Sequence, residues 1–176
     1  MASEKITIGD LQKKTSAGEK ISMMTAYDFP TASLVDQAEI DTILVCDSLG
    51  MVVLGYDSTV PVTMEEMLHH ARAVSRGTEH ALVIGDMPFG SYQVSIEQAI
   101  ANGTRFLKEA GCDCVKLEGG KEVCAAVQGL VQAGVPVMGH IGLTPQTAGQ
   151  LGGFKVQGKT MEAARQLLAD AQALEE

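Results

Sequence analysis

No stretch of this chain is long and apolar enough to span a bilayer, and polar residues follow Met1 where a hydrophobic signal core would stand. Secretion and membrane insertion are therefore not expected. Basic residues are few and nowhere clustered: 13 Lys and Arg against 22 Asp and Glu leave a net charge of −9. That balance disfavours a polyanionic partner such as nucleic acid and favours a small substrate. Zinc spacing is missing too. Of Cys46, Cys112, Cys114 and Cys124 only one pair is close, as Cys-x-Cys in or beside an expected strand, so all four read as reduced core thiols. Linkers and low-complexity segments are absent. The 176 residues, 45% apolar and 20% charged, read as one domain of a soluble, intracellular protein.

What the chain does contain is a regular alternation of helix and strand signals. Thr63-Met-Glu-Glu66 and Ser95-Ile-Glu-Gln98 are capping boxes, each fixing a helix start. The helices beginning there run to Gly77 and Gly111, and a third from about Lys121 runs to Gly134, each glycine suited to the left-handed residue that closes a helix. The expected order is a short helix at 8–15, then strand 21–25, helix 30–39, strand 42–46, helix 64–76, strand 81–85, helix 96–110, strand 113–117, helix 121–133, strand 135–139 and helix 161–175. Five strand–helix units imply a parallel sheet with right-handed crossovers, either open and doubly wound or closed as an eightfold barrel. Length favours the open sheet. The last helix favours the barrel: its stripe of Met161, Ala164, Leu167, Leu168, Ala171 and Leu174 ends on Glu175-Glu176, two acids opposing the helix dipole with no capping glycine. The expectation is an N-terminal part of a (β/α)₈ barrel, about its first five βα units, cut before strand 6.

Three apolar runs end in acids: Thr42-Ile-Leu-Val-Cys46-Asp47, Ala81-Leu-Val-Ile-Gly85-Asp86 and Cys114-Val-Lys116-Leu-Glu118. Such runs read as buried parallel strands whose carboxyl ends share one side of the sheet, so Asp47, Asp86 and Glu118 should converge. Three carboxylates without neutralising partners call for a divalent cation with hard oxygen ligands, Mg²⁺ by default. The bland alternative is that each Asp caps a following turn. Lys116 and Glu118, two apart on one strand, face the same way, as an internal salt bridge or as an anion-binding ammonium beside a metal ligand. His140 ends a strand and is either structural or site-lining. His69, His70 and His80 fall on or beside helices and receive no role.

Gly153-Phe-Lys-Val-Gln-Gly158-Lys159-Thr160 satisfies the nucleotide P-loop pattern. Its context argues against that use, because about a dozen residues separate it from the preceding strand, whereas a phosphate loop joins strand to helix directly.

Seven blocks in order carry a family resemblance: Thr25-Ala-Tyr27-Asp28, Asp47-Ser48-Leu-Gly50, Gly55 to Thr63, Asp86-Met-Pro88-Phe, Val115-Lys-Leu-Glu-Gly-Gly120, Gly139-His-Ile-Gly-Leu-Thr-Pro-Gln146 and Gly152 to Gly158. Together they resemble the ketopantoate hydroxymethyltransferases. The resemblance implies a barrel of the phosphoenolpyruvate/pyruvate type, cytoplasmic, assembled as a homo-oligomeric decamer and acting in pantothenate biosynthesis. It further implies hydroxymethyl transfer from 5,10-methylenetetrahydrofolate to 3-methyl-2-oxobutanoate through a Mg²⁺-stabilised enolate, giving 2-dehydropantoate. By matching positions, Asp47 and Asp86 would bind Mg²⁺ with Glu118 in the coordination sphere. Asp47, Ser48, Asp86 and Lys116 would surround the oxo acid, with His140 and Tyr27 lining the site. The family's general-base glutamate follows the sixth strand, beyond Glu176, so no residue here inherits that role. Two readings from other classes stand beside this one. One is a truncated or split subunit that keeps only metal and oxo-acid binding, with weak affinity and exposed sheet edges. The other is a receiver-like Mg²⁺-binding signalling module.

Overall fold

The computed structural model describes residues 4–150 and 152–176; Met1–Ser3, where the sequence lacks a signal core, lie outside the described residues. The elements follow in the order α1 (Ile8–Ser16), β1 (Met23–Thr25), α2 (Phe29–Gln37), β2 (Thr42–Val45), α3 (Leu49–Val52) and α4 (Met64–Arg76). Then come β3 (Leu82–Asp86), α5 (Ile96–Ala110), β4 (Cys114–Glu118), α6 (Cys124–Gln132), β5 (Val137–His140) and α7 (Met161–Glu175). All five strands are parallel and lie in chain order, β1-β2-β3-β4-β5. A doubly wound sheet, and with it a receiver-like module, needs the strand order to reverse about its first strand. No reversal occurs here, and the sheet advances in one direction as a barrel wall does.

The pleat sorts the strands into two faces. Odd-numbered residues Ile43, Val45, Val83, Val115 and Leu117 pack under the helices with Leu68, Val74, Phe106 and Leu130. Even-numbered Leu44, Leu82, Ile84 and Cys114 form a second cluster on the concave face, closed from below by Ile6 and Leu11 of the α1 segment. That segment sits at the amino ends of the strands: Ile6 N–H donates to His80 O, Lys14 pairs with Asp41, and Lys5 pairs with Asp113. At the opposite, carboxyl end the concave face changes from apolar to polar at Asp86, Lys116, Glu118 and His140.

Helix starts follow the capping signals closely. Thr63 and Glu66 form both halves of their box, and Thr7 with Asp10 forms another that the sequence reading passed over. At Ser95 only one half forms, from Gln98 N–H to Ser95 Oγ at 3.1 Å, while Gln98 Oε1 stays unpartnered. Gly111 and Gly134 are left-handed as expected, at φ 73° and 85°. Gly77 is not: its φ is −92°. Close approach explains it instead, since a Cβ there would lie 2.6 Å from Phe29 O at the start of α2. The helix expected over 121–133 begins as a 3₁₀ turn, Lys121–Val123, because no side chain caps its first amides. The four-residue α3 carries no periodic signal long enough to be read from sequence.

Asp36 near the end of α2 ties the helical layer to the sheet. Its carboxylate accepts from the N–H groups of Glu79 (2.9 Å), His80 (3.1 Å) and Ala81 (2.7 Å), which lead into β3. Burial pushes this carboxyl up, but the three donors outweigh burial and hold it below its usual value. Asp36→Ala should therefore cost about 1–3 kcal/mol near neutral pH. The depressed pKa means this stabilisation is fully present above the unfolded carboxyl's range and is lost as pH falls through the lower folded value, so the gap between the urea midpoints of mutant and wild type should narrow steadily as pH drops below about 4.

Candidate active site

Register places the charged residues side by side. Asp86 is the lateral partner of Lys116, and Glu118 that of His140, while Lys116 and Glu118 are two apart on β4. Parallel partners share a face, so these four side chains make one patch on the concave carboxyl rim. Asp47 joins from the turn two residues beyond β2. Its backbone N–H donates to Asp86 Oδ2 at 3.0 Å. Asp47 and Asp86 are fully buried, and Glu118 and Lys116 nearly so.

The acids are gathered as the sequence suggests, but not without a counter-ion. Lys116 Nζ lies 2.9 Å from Asp86 Oδ1 and 3.5 Å from Glu118 Oε1. His140 Nδ1 stands 3.3 Å from both Lys116 Nζ and Glu118 Oε1. Burial alone would lower the Lys116 pKa, yet Asp86 and Glu118 together hold it above its ordinary value, so the ammonium is charged. Burial likewise raises Glu118, and the His140 hydrogen bond, the Lys116 charge and the Gln146 N–H outweigh it and keep Glu118 ionised.

Asp47 has less relief. Burial and the Asp86 charge push Asp47 up to about 7. Asp86 Oδ1 has the Lys116 ammonium as its partner at 2.9 Å, the same ammonium that serves Glu118. Three buried carboxylates around one ammonium are costly, and a hard divalent cation is the ligand they suit. Among the described residues, Cys46 Sγ and one oxygen each from Asp47 and Asp86 lie within 4.8 Å of one another. Glu118, expected as a third ligand, falls outside that group, and its carboxylate meets Lys116, His140 and the Gln146 N–H instead. Cys46 is pushed up to about 12 by burial and the Asp86 charge, so it is a neutral thiol facing Asp47 Oδ1 at 3.7 Å. It lines the site and is not the purely core thiol expected.

Tyr27 and Ser48 do meet, hydroxyl to hydroxyl at 2.8 Å. His70, given no role from sequence, holds Tyr27 O at 2.6 Å through Nδ1. Sequence reading also missed Gln146 and Tyr92, which are almost fully buried. Gln146 N–H donates to Glu118 Oε2 (3.0 Å), its Nε2 donates to Asp47 Oδ2 (3.0 Å) and Met87 O (2.9 Å), and its Oε1 accepts from Tyr92 OH (2.7 Å). Gln146 does close the quoted Gly139 to Gln146 block, yet nothing in its spacing marks it. The P-loop pattern at 153–160 follows a 3₁₀ turn, Pro145–Thr147, and not a strand, which agrees with rejecting it.

The fold and rim together define a class before any family. Among solved structures, phosphonopyruvate hydrolase complexed with oxalate and Mg²⁺ aligns with a TM-score of 0.66 at 17% identity, covering 93% of this chain and 58% of that one. A 2,3-dimethylmalate lyase of the PEP mutase/isocitrate lyase superfamily aligns at 0.63 and 14% identity, covering 94% and 59%. The fold is therefore that of these phosphoenolpyruvate-type barrels, in part. Residues 5–176 match the family profile described as ketopantoate hydroxymethyltransferase, and the chain belongs to that family. A 3-methyl-2-oxobutanoate hydroxymethyltransferase from Desulfotalea psychrophila is 63% identical over 170 residues, 97% of this chain and 61% of that relative. The chain thus spans about three fifths of the length of the curated relatives it matches.

Lys116 is the one ammonium between two buried carboxylates, so Lys116→Met should lower unfolding stability by about 3–5 kcal/mol at neutral pH. Urea denaturation checks this, and an unchanged midpoint would show that Asp86 and Glu118 do not depend on it.

Proposed function

We propose that these residues bind Mg²⁺ and 3-methyl-2-oxobutanoate for hydroxymethyl transfer from 5,10-methylenetetrahydrofolate, giving 2-dehydropantoate in the cytoplasmic synthesis of pantothenate. We read residues 1–176 as one domain, the first five βα units of an eight-unit barrel, in a protein that assembles as a homo-oligomer, a decamer by family resemblance. The observation that carries the reading is the buried Asp47–Asp86 pair, one oxygen of each within 4.8 Å of the other, set beside the Lys116 ammonium.

Asp47 and Asp86 would hold the cation through their oxygens, with Glu118 reaching it through water. A bound divalent cation would supply Lewis acidity toward the keto oxygen, and with it acidity at C3. The remaining work falls to the chain's own groups. Lys116 offsets the negative charge of the oxo acid as a mobile point charge. Ser48, oriented by Tyr27, offers its hydroxyl to the substrate, and His140, one-third exposed at the mouth, lines the approach. Residues 1–176 are assigned binding and charge stabilisation; the proton-abstracting base is assigned to none of them.

Calorimetric titration tests this. The oxo acid should bind the chain only when Mg²⁺ is present, Asp86→Asn should abolish that dependence, and Ser48→Ala should weaken binding about 10-fold through loss of one hydrogen bond to a charged ligand. Binding that is indifferent to Mg²⁺ would contradict the reading. Exchange of the substrate's C3 hydrogen in D₂O at enzyme rates by this chain alone would contradict the assignment of the base elsewhere.

A further inference from the structure

The two candidate metal ligands share an unusual restriction: each aspartate has one oxygen already committed to an N–H donor. Asp86 Oδ2 accepts from the Asp47 backbone at 3.0 Å, and Asp47 Oδ2 accepts from Gln146 Nε2 at 3.0 Å. That leaves Asp86 Oδ1, 2.9 Å from Lys116 Nζ, and Asp47 Oδ1, 3.7 Å from Cys46 Sγ. The N–H donors fix the rotation of each carboxylate, and a fixed carboxylate turns one oxygen to a cation more readily than it chelates with two.

The Asp86 restriction is built into the backbone, whereas the Asp47 restriction rests on one side chain. Gln146 is 4% exposed and its amide is fully engaged. Nε2 donates to Asp47 and to Met87 O, and Oε1 accepts from Tyr92 OH at 2.7 Å and from Gln93 Nε2 at 3.4 Å. The two acceptors facing Nε2 fix the amide's orientation, because the flipped form would set an oxygen against a carboxylate and a carbonyl. Its backbone N–H fixes Glu118 Oε2 as well, so one residue locks both sides of the rim.

Cations differ in what they need from carboxylates. Mg²⁺ is small, takes single oxygens and keeps several waters, whereas Ca²⁺ accepts more oxygens and often takes a carboxylate through both. We propose that Gln146 is a positioning residue that sets the cation preference of this site by fixing the rotation of Asp47 so that one oxygen faces the cation, favouring Mg²⁺ over Ca²⁺. This rests on the reading of Asp47 and Asp86 as metal ligands. Losing the donor frees Asp47 to rotate and offer both oxygens, which weakens the preference for the smaller ion.

The test is calorimetric titration of Mg²⁺ and of Ca²⁺, separately, into the full chain and into Gln146→Met, which keeps length and removes the donor. The ratio of the two affinities is the readout, since a general loosening of the fold weakens both ions alike. The wild type should prefer Mg²⁺, and the variant's preference should fall about 10-fold, in the range seen when a group orienting a metal ligand is removed. An unchanged ratio in a folded variant, or a wild type that binds both ions equally, would overturn the role of Gln146 while leaving the metal site standing. A wild type that binds neither ion would overturn the metal site itself. Should Gln146→Met not fold, as circular dichroism would show, Tyr92→Phe decides: it removes the donor to Gln146 Oε1, and should shift the ratio the same way by about 2-fold to 5-fold, consistent with one hydrogen bond. No shift there would count against the proposal.

Discussion

The Lys116 ammonium, set between Asp86 and Glu118 at the carboxyl end of the sheet, is the interaction on which the rim depends. It exists because of a register. Parallel pairing of β3 with β4 sets Asp86 beside Lys116, and pairing of β4 with β5 sets Glu118 beside His140. Period-two alternation then turns all four to the concave face, while the residues between them pack under helices. A slip of one residue in β4 would carry Lys116 and Glu118 into the apolar layer, where charge is costly without partners. Core packing and site assembly are thus one constraint read on two faces.

The rim is uneven in charge, and that unevenness is its chemical content. On the β4 side every charge is matched: Glu118 by Lys116, His140 and a backbone N–H. On the β2 side Asp47 and Asp86 repel across a short gap, with Asp47 pushed up to about 7 and Asp86 relying on the one ammonium it shares with Glu118. The neutral Cys46 thiol beside them adds no charge and little affinity for a hard ion. A fold that leaves one pair of buried carboxylates under-compensated, next to a fixed ammonium, is arranged to accept a cation and an anion together.

Much of this was legible in sequence for identifiable reasons. Strands ending in acids gave Asp86 and Glu118 their rim positions, and hydroxyl-to-carboxylate spacing gave the start of α4, because both signals are local. The choice between open sheet and barrel was not decidable from local pattern, and the unbroken strand order resolved it. Reading the acids as unneutralised was mistaken: Lys116 pairs with Glu118, as the internal salt-bridge reading allowed, and with Asp86, its lateral neighbour on β3, which local pattern does not encode. Gln146, Tyr92 and His70 were passed over for a related reason: their partners are 99, 54 and 43 residues away in Asp47, Gln146 and Tyr27, and no periodicity encodes such contacts. Gly77 shows the opposite error, where a familiar helix-closing residue turned out to be needed for close packing against α2.

The central claim is that Asp47 and Asp86 grip one divalent cation at the carboxyl rim. Crystals of the chain soaked in Mn²⁺ test it most directly through anomalous scattering. The account predicts one strong peak in contact with a single oxygen of each aspartate and within reach of the Lys116 side of the rim. A peak elsewhere, or none while both carboxylates keep their present hydrogen bonds, would contradict it.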